Sequence, residues 1–506
     1  MSRSPSSVRR PRRGRCLGSA VFLLVGSVLA GCSKPDVGRL PANASQPANI
    51  ILIVADALRA DRLGAYGSKG ELTPTMDAIA REGTLFQRTI AAAPWTQPSV
   101  ASLFSACYPG VHQVRSYQVA FDSTFSGDPK VAVFGDTFQT LAEALHAGGY
   151  ETAAFSANPF VIADYGFGQG FDHFDASFAS FADTNRRGAV LNAALFDWLA
   201  QRDSRKPLFL YLHYMDVHGP YEGDPAYLEQ RMVELESSSN LHAMTEYETR
   251  ALMHLRRPPK YAKDLARHAR LMGYREYWIA RYDAGVRQMD KHLAALRQRL
   301  SDLGLWDNSL VVVTADHGEA LCEHHIWDHG LSVHDNQLHV PLILHWPGVV
   351  PAGKRVAATT RLIDVMPTLL DQMRLPAVAG VQGRSLLPHV RSDEPLPGAV
   401  AYAECVKSGT EQKAVYDGNR KLLLVESSPP QAVWFNLADD PREQNPLVDQ
   451  VALRSLLDLA ARQAKENAAG ASAHAATQVE LSDDERSRLE SLGYLHTNEP
   501  AETSSP

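Results

Sequence analysis

Three uninterrupted apolar runs constrain this chain most: residues 49–55 (Asn-Ile-Ile-Leu-Ile-Val-Ala), 207–213 (Pro-Leu-Phe-Leu-Tyr-Leu-His) and 308–314 (Asn-Ser-Leu-Val-Val-Val-Thr). A strand with one wet face alternates apolar and polar residues. A run without that alternation must be covered on both faces, as in a sheet lying between helical layers. The segments between the runs supply those layers. Residues 188–201 carry Leu191, Leu195 and Leu199 on one stripe, and residues 284–300 carry Val286, Met289, Leu293, Leu296 and Leu300 at helical spacing. Shorter helices are expected at 75–82 and 136–147, and further strands at 150–155 and 340–345. Alternation of this kind predicts an α/β fold with a doubly wound, mostly parallel sheet.

Two regions break the alternation. Residues 222–270 are polar, with Ser237-Ser238-Ser239 and a basic pair at Arg256-Arg257, and are expected to form a mostly helical insertion, either a lid or a surface excursion. Beyond Leu386 short strands are expected at 399–405, 413–416, 421–425 and 433–437, with a hairpin signal at Asp417-Gly418 and a helix at 446–466. These make a small C-terminal antiparallel sheet plus helix. The expected organisation is a catalytic domain at 49–386, holding the insertion at 222–270, then a C-terminal subdomain at 387–495. Residues 468–476 are low in complexity and 496–506 form a disordered tail.

The N-terminus has a different character. Residues 1–31 hold six arginines and no acid, so the remainder carries −13 against −7 for the whole chain. A body this acidic excludes nucleic acid as an expected partner. The basic start precedes an apolar run at 16–29 that ends in Leu29-Ala30-Gly31-Cys32, which resembles a bacterial lipobox. The resemblance implies a signal peptide at 1–31, lipid on Cys32 and a tether at 32–48. It implies a lipid-anchored protein of the bacterial cell envelope, at the outer membrane on its periplasmic side or at the cell surface. Cys107, Cys322 and Cys405 remain, and their spacing gives no disulfide framework or zinc knuckle.

In open α/β sheets ligands gather outside the C-terminal ends of the strands. Asp56 follows the first run, and Asp316-His317 follows the third. Between them Pro94-Trp95-Thr96-Gln97-Pro98-Ser99 turns into a helix that Ala101 to Ala106 can continue, with Pro98 suited to its first turn. A hydroxyl there is by itself an ordinary helix cap. Beside two carboxylates and an imidazole it also suits a divalent-metal site in which the hydroxyl is the nucleophile. His218, in Asp216-Val217-His218-Gly219-Pro220, and His329, in Trp327-Asp328-His329-Gly330, are the further candidates. His324 and His325 suit solvated loop positions.

These stretches together resemble the sulfatases of the alkaline phosphatase superfamily. The likeness is carried by Asp56-Ala-Leu-Arg-Ala-Asp61 through Gly67, Thr96-x-Pro98-Ser99-x-Ala101-Ser102-Leu103, His213 through His218-Gly-Pro-Tyr221, Thr314-Ala-Asp316-His317-Gly-Glu319, Gly380-Val-Gln-Gly-Arg-Ser-Leu-Leu387 and Phe435 through Gln444. It implies an alkaline-phosphatase-like fold and a metal-dependent hydrolase of a sulfate or phosphate ester borne on a glycan, lipid or small molecule. Asp56, Thr96, Asp316 and His317 would hold one or two divalent ions (Ca, Mn or Zn). Thr96 would be the nucleophile, His218 and His329 would contact the anion or protonate the leaving oxygen, and Asn158 would lie nearby.

The chain also departs from the pattern. Thr96 stands where sulfatases have the Cys or Ser that becomes formylglycine, Val100 where they have Arg, Ala57 where a second Asp is usual, and His329 where many have Lys. A direct Thr nucleophile resembles the superfamily's phosphodiesterases and phospho-headgroup transferases, which gives the second reading. The departures give a third, a catalytically inactive, lipid-tethered binding protein.

Overall fold

The run at 49–55 forms the centre of an eight-stranded sheet in the computed structural model of the chain. The structure describes residues 48–115, 130–177, 187–252, 259, 262–392, 394, 397–406, 410–471 and 477–480. The strands are β1 (Asn49–Ala55), β2 (Thr84–Ile90), β3 (Glu151–Ser156), β4 (His173–Asp175), β5 (Leu208–Tyr214), β6 (Ser309–Thr314), β7 (His339–His345) and β8 (Lys354–Arg361). Their order across the sheet is β8-β2-β7-β6-β1-β5-β3-β4. Strands β1, β5 and β6, the three apolar runs, are adjacent, parallel and buried at every position, as their lack of alternation requires. Only β7 runs antiparallel to its neighbours, so the sheet is mostly parallel, as expected.

Sequence reasoning missed β2, β4 and β8. Strand β2 carries exposed Gln87 at its middle, β4 has three residues, and β8 lies at the sheet edge with charged residues at both ends. None of these presents the apolar run that marked the central strands.

The helices that matter here are α1 (Pro74–Glu82), α2 (Thr96–Ser105), α3 (Leu141–Ala147), α4 (Arg187–Gln201), α5 (Pro225–Glu236), α6 (Glu246–Ala251), α7 (Leu265–Leu271), α8 (Arg275–Asp302), α9 (Val365–Gln372) and α10 (Gln450–Ala471). Two expected boundaries shift. Helix α3 begins at Leu141, not at 136, because Thr140 caps it in a reciprocal box with Glu143. Helix α10 starts at Gln450, not at 446, since Leu447 donates its N–H to the Trp434 carbonyl and extends the edge of the C-terminal sheet. It then continues to Ala471, through the first part of the low-complexity stretch.

Helix α8 begins nine residues before the expected stripe. Its first turns hide Arg281, fully buried and donating to the Pro220 and Tyr221 carbonyls, so polarity there did not mean exposure. The C-terminal antiparallel sheet is β9 (Ala401–Cys405), β10 (Gln412–Asp417), β11 (Arg420–Val425) and β12 (Gln431–Asn436), covered by α10, as expected.

The 222–270 region supplies α5, α6 and α7, with non-helical residues at 237–245 between the first two, so its described part is mostly helical, as expected, while Arg256-Arg257 lies outside the described residues. Glu248 of α6 is fully buried. It accepts from the Arg275 guanidinium at 2.6 Å and from the Cys322 thiol at 2.6 Å, which ties the insertion to the loop that follows β6. The expectations for residues 1–47, Cys32 among them, and for 481–506 lie outside the described residues.

Candidate active site and metal centre

Register places the carboxylates. Val54 of β1 pairs with Thr314 of β6, so Asp56 and Asp316, each two residues further on, emerge at one height beyond the strand ends. Both are fully buried. The backbone N–H groups of His317 and Ala57 donate to Asp316 Oδ1 at 2.9 and 3.3 Å. Asn158, just past β3, donates to Asp56 Oδ2 at 2.5 Å. The other oxygen of each acid, Asp56 Oδ1 and Asp316 Oδ2, is buried without a hydrogen-bond partner. Two carboxylates in a dry site with orphaned oxygens fit a divalent cation, because burying such charges uncompensated is costly. The residues present thus fit a metal ion.

Thr96 is the first residue of α2, not its cap. Trp95 holds the cap position with extended backbone and does not cap the helix through its side chain. The Thr96 hydroxyl lies 3.3 Å from His317 Nε2 and 3.4 Å from Asn158 Nδ2. It therefore sits beside the unpaired N–H groups and partial positive charge of the helix start. Ser99, one turn on, donates to the Asp316 carbonyl at 2.5 Å and locks α2 against the end of β6. Gly318 has no room for a side chain, since a Cβ would come within 2.2 Å of the Asn336 carbonyl oxygen.

The three candidate histidines converge. The rings of His317 and His329 are 4.4 Å apart, and those of His218 and His329 are 4.9 Å apart. Each has a defined environment. His317 Nδ1 donates to the Gly318 carbonyl at 2.8 Å and His218 Nδ1 to the Gly219 carbonyl at 2.9 Å. A carbonyl only accepts, so in both neutral rings Nε2 carries the lone pair. Burial pushes His218 down to about 4 and, with the nearby His329 charge, holds His317 well below the usual range. His329 behaves oppositely. Burial alone would lower it, but Asp328 at 2.9 Å and Glu319 at 3.3 Å outweigh that and push it up to about 10. The site thus combines two neutral imidazoles with one imidazolium.

All of Asp56, Thr96, Asn158, His218, Asp316, His317 and His329 come together. His324 and His325 do not: His324 stacks on His334 at 3.8 Å, and the His325 side chain is 77 % exposed. Sequence reasoning missed three residues. Glu319 and Asp328 flank His329, and with it form one group of possible metal ligands. His213 forms another with Asp56 and Asp316. A histidine closing an otherwise apolar strand was the available signal for His213. Glu319 and Asp328 lie within motif stretches already noted, but only the fold of their loop aims them at one ring.

Comparison with known proteins bears on this arrangement. The model of the family described as "Sulfatase" matches residues 48–375, and that described as "N-sulphoglucosamine sulphohydrolase, C-terminal" matches 322–469. Similar curated proteins include a Delta 4,5-hexuronate-2-O-sulfatase of Bacteroides thetaiotaomicron, 25% identical over 70% of this chain and 74% of that protein. An N-acetylglucosamine-6-O-sulfatase of the same organism is 24% identical over 87% and 90%. Among solved structures, a protein in complex with its substrate D-glucosamine-2-N,6-O-disulfate aligns with a TM-score of 0.64 at 21% identity, over 83% of this chain and 99% of that one. A phosphonate monoester hydrolase of Agrobacterium radiobacter aligns at 0.62 and 20%, over 84% and 96%. The two family matches together span both sheets, and the alignments with solved structures show the same fold.

Proposed function

The chain belongs to the sulfatase family, and from that premise we propose that it hydrolyses sulfate esters on glycans, with Thr96 as the nucleophile. The observation that carries this reading is the Thr96 hydroxyl, held at a helix N-terminus within 3.5 Å of both His317 and Asn158, the latter bonded to Asp56. The sulfated sugars named for the two curated relatives support the substrate class. Asp56, Asp316 and His317, with the Thr96 oxygen, would hold a divalent cation. When bound, such an ion lowers the pKa of a neighbouring hydroxyl and neutralises oxyanion charge.

The chain's own residues supply the remainder. Thr96, having released its proton to solvent, attacks sulfur. The Thr Oγ–S bond forms as the ester S–O bond breaks, and the leaving oxygen takes a proton from the His329 imidazolium. Asp328 and Glu319 keep that ring charged and aimed, so it also balances the sulfate's negative charge. Water then attacks the same sulfur. The Thr–S bond breaks, one water proton returns to Thr96 and the other to His329, and sulfate leaves. Helix α2 offers the anion its first-turn N–H groups throughout.

Thr96 and the apolar Val100 favour the second reading, a phosphorus ester as substrate, as in a phosphodiesterase or phospho-headgroup transferase, since no aldehyde hydrate is available from a threonine and phosphorus esters accept a direct alkoxide. Assay of p-nitrophenyl sulfate, p-nitrophenyl phosphate and a p-nitrophenyl phosphonate beside 6-O- and 2-O-sulfated sugars separates the two. Sulfate release from a sugar is expected. Cleavage of the phosphorus esters alone selects the second reading, and inertness toward all of them points to the binding protein.

We place the protein in the bacterial cell envelope, lipid-anchored through Cys32. No helix of the described residues is long and apolar enough to cross a membrane. Cys32→Ser is expected to abolish incorporation of labelled palmitate and move the protein from the membrane to the soluble fraction. Labelling that persists in the variant would exclude Cys32.

A further inference from the structure

The two aspartates are not the only groups facing the gap between them. His213 is fully buried near the end of β5, opposite Val54 of β1. Its Nε2 lies 3.1 Å from Asp56 Oδ2 and 3.9 Å from Asp316 Oδ2. On the other side, His317 Nε2 lies 3.5 Å from Asp56 Oδ1 and 3.5 Å from Asp316 Oδ2. Ligand atoms around an ion with bonds near 2.1 Å stand about 3 to 3.5 Å apart. The spacings found here cluster about that range. Position 57, next to Asp56, offers only a methyl group.

We infer that His213 is a direct metal ligand, so that the cation is held, beside the Thr96 oxygen, by two carboxylates and two imidazoles, from Asp56, His213, Asp316 and His317. The inference rests on the metal-dependent reading of the site proposed above, and it specifies which ion that site takes.

Three observations support it. Strand β5 lies between two neighbours in the core of the sheet, where a histidine is kept only if both nitrogens are used. His213 Nδ1 is 2.7 Å from the Tyr211 hydroxyl, two residues back on the same strand face. When Nε2 gives its lone pair to a cation, the ring proton sits on Nδ1, and the Tyr211 oxygen is there to accept it. Tyr211 therefore acts as a positioning residue that fixes the tautomer. Finally, Asp56 Oδ1 and Asp316 Oδ2 remain buried without a partner, so His213 as a simple hydrogen-bond donor to Asp56 leaves the site unsatisfied.

Two nitrogen donors change the choice of ion. Calcium takes oxygen ligands almost exclusively, whereas imidazole suits first-row transition metals. The full-length protein, stripped by chelator and titrated with Co2+ and with Ca2+, is expected to bind Co2+ at least about 100-fold more tightly. His213→Gln is expected to lose about 100-fold in Co2+ affinity while Ca2+ affinity changes less than about threefold, and Tyr211→Phe about tenfold in Co2+ affinity. The cobalt-loaded wild type gives a readout that needs no variant: two exchangeable, paramagnetically shifted imidazole N–H resonances, from His213 and His317. A single such resonance, or Co2+ affinity in His213→Gln equal to wild type, would overturn the assignment. These measurements do not depend on turnover. His213-dependent cobalt binding without ester cleavage would refute the proposed reaction and leave the ligand in place, whereas cleavage with His213-independent binding would do the reverse.

Discussion

Thr96→Ala is expected to lower kcat on the protein's ester substrate by about 10,000-fold or more while leaving the fold intact. Thr96 is 2 % exposed, and its hydroxyl bonds, at 3.3 and 3.4 Å, are long. Their loss and that of one methyl should cost about 1 to 2 kcal/mol of stability, which a denaturation curve reads directly. The hydroxyl's chemical role has no substitute among its contacts, since Asn158 and His317 cannot form the same ester. Thr96→Ser keeps the oxygen and should stay within about tenfold of wild type. Mass spectrometry of the peptide containing Thr96, after an acid quench during turnover, should find the covalent adduct in wild type and not in Thr96→Ala. Activity in Thr96→Ala within tenfold of wild type would mean that water attacks the substrate directly, with Thr96 at most a ligand.

The parts of this site legible in the sequence were those at the ends of unbroken apolar runs. Asp56 and Asp316-His317 stood out because a buried strand stops where a polar residue begins, and register then brings them to one height. Thr96 was legible as a helix start. Local pattern did not reveal the groups that act across chain-distant loops. Glu319 and Asp328 become partners of His329 only because the loop after β6 doubles back through a short two-stranded ribbon, pairing Ala320 with Asp328. His213 lay inside an apolar run that counted as core, which it is. Strands β2 and β8 were missed for a related reason: polar and charged residues interrupt them, so the unbroken apolar run that identified β1, β5 and β6 is absent from them.

Asp316→Asn should make the metal-free protein more stable and the enzyme nearly inactive. In the metal-free protein, burial and then the charge of Asp56 push the Asp316 carboxyl up to about 7. A folded-state pKa above the unfolded value, near 3.9, means that ionising this acid opposes folding. The penalty is absent at low pH, grows as pH rises through the interval from about 4 to 7, and is constant above it. Asparagine cannot ionise, so it removes the penalty. Its oxygen still accepts the Ala57 and His317 N–H groups that now reach Asp316 Oδ1, and its amide can donate toward Asp56. In chelator at pH 8, Asp316→Asn should therefore exceed wild type by about 1 to 3 kcal/mol, with little difference at pH 4. A bound divalent ion should reverse the order, because it stabilises wild type by mass action and binds the variant weakly. The same loss of metal charge should lower kcat/KM by about 1,000-fold. Urea denaturation at the two pH values, with and without metal, tests both halves. A variant less stable than wild type in chelator at pH 8 would show that Asp316 is held by interactions other than a cation, and retained activity would remove it from the metal site.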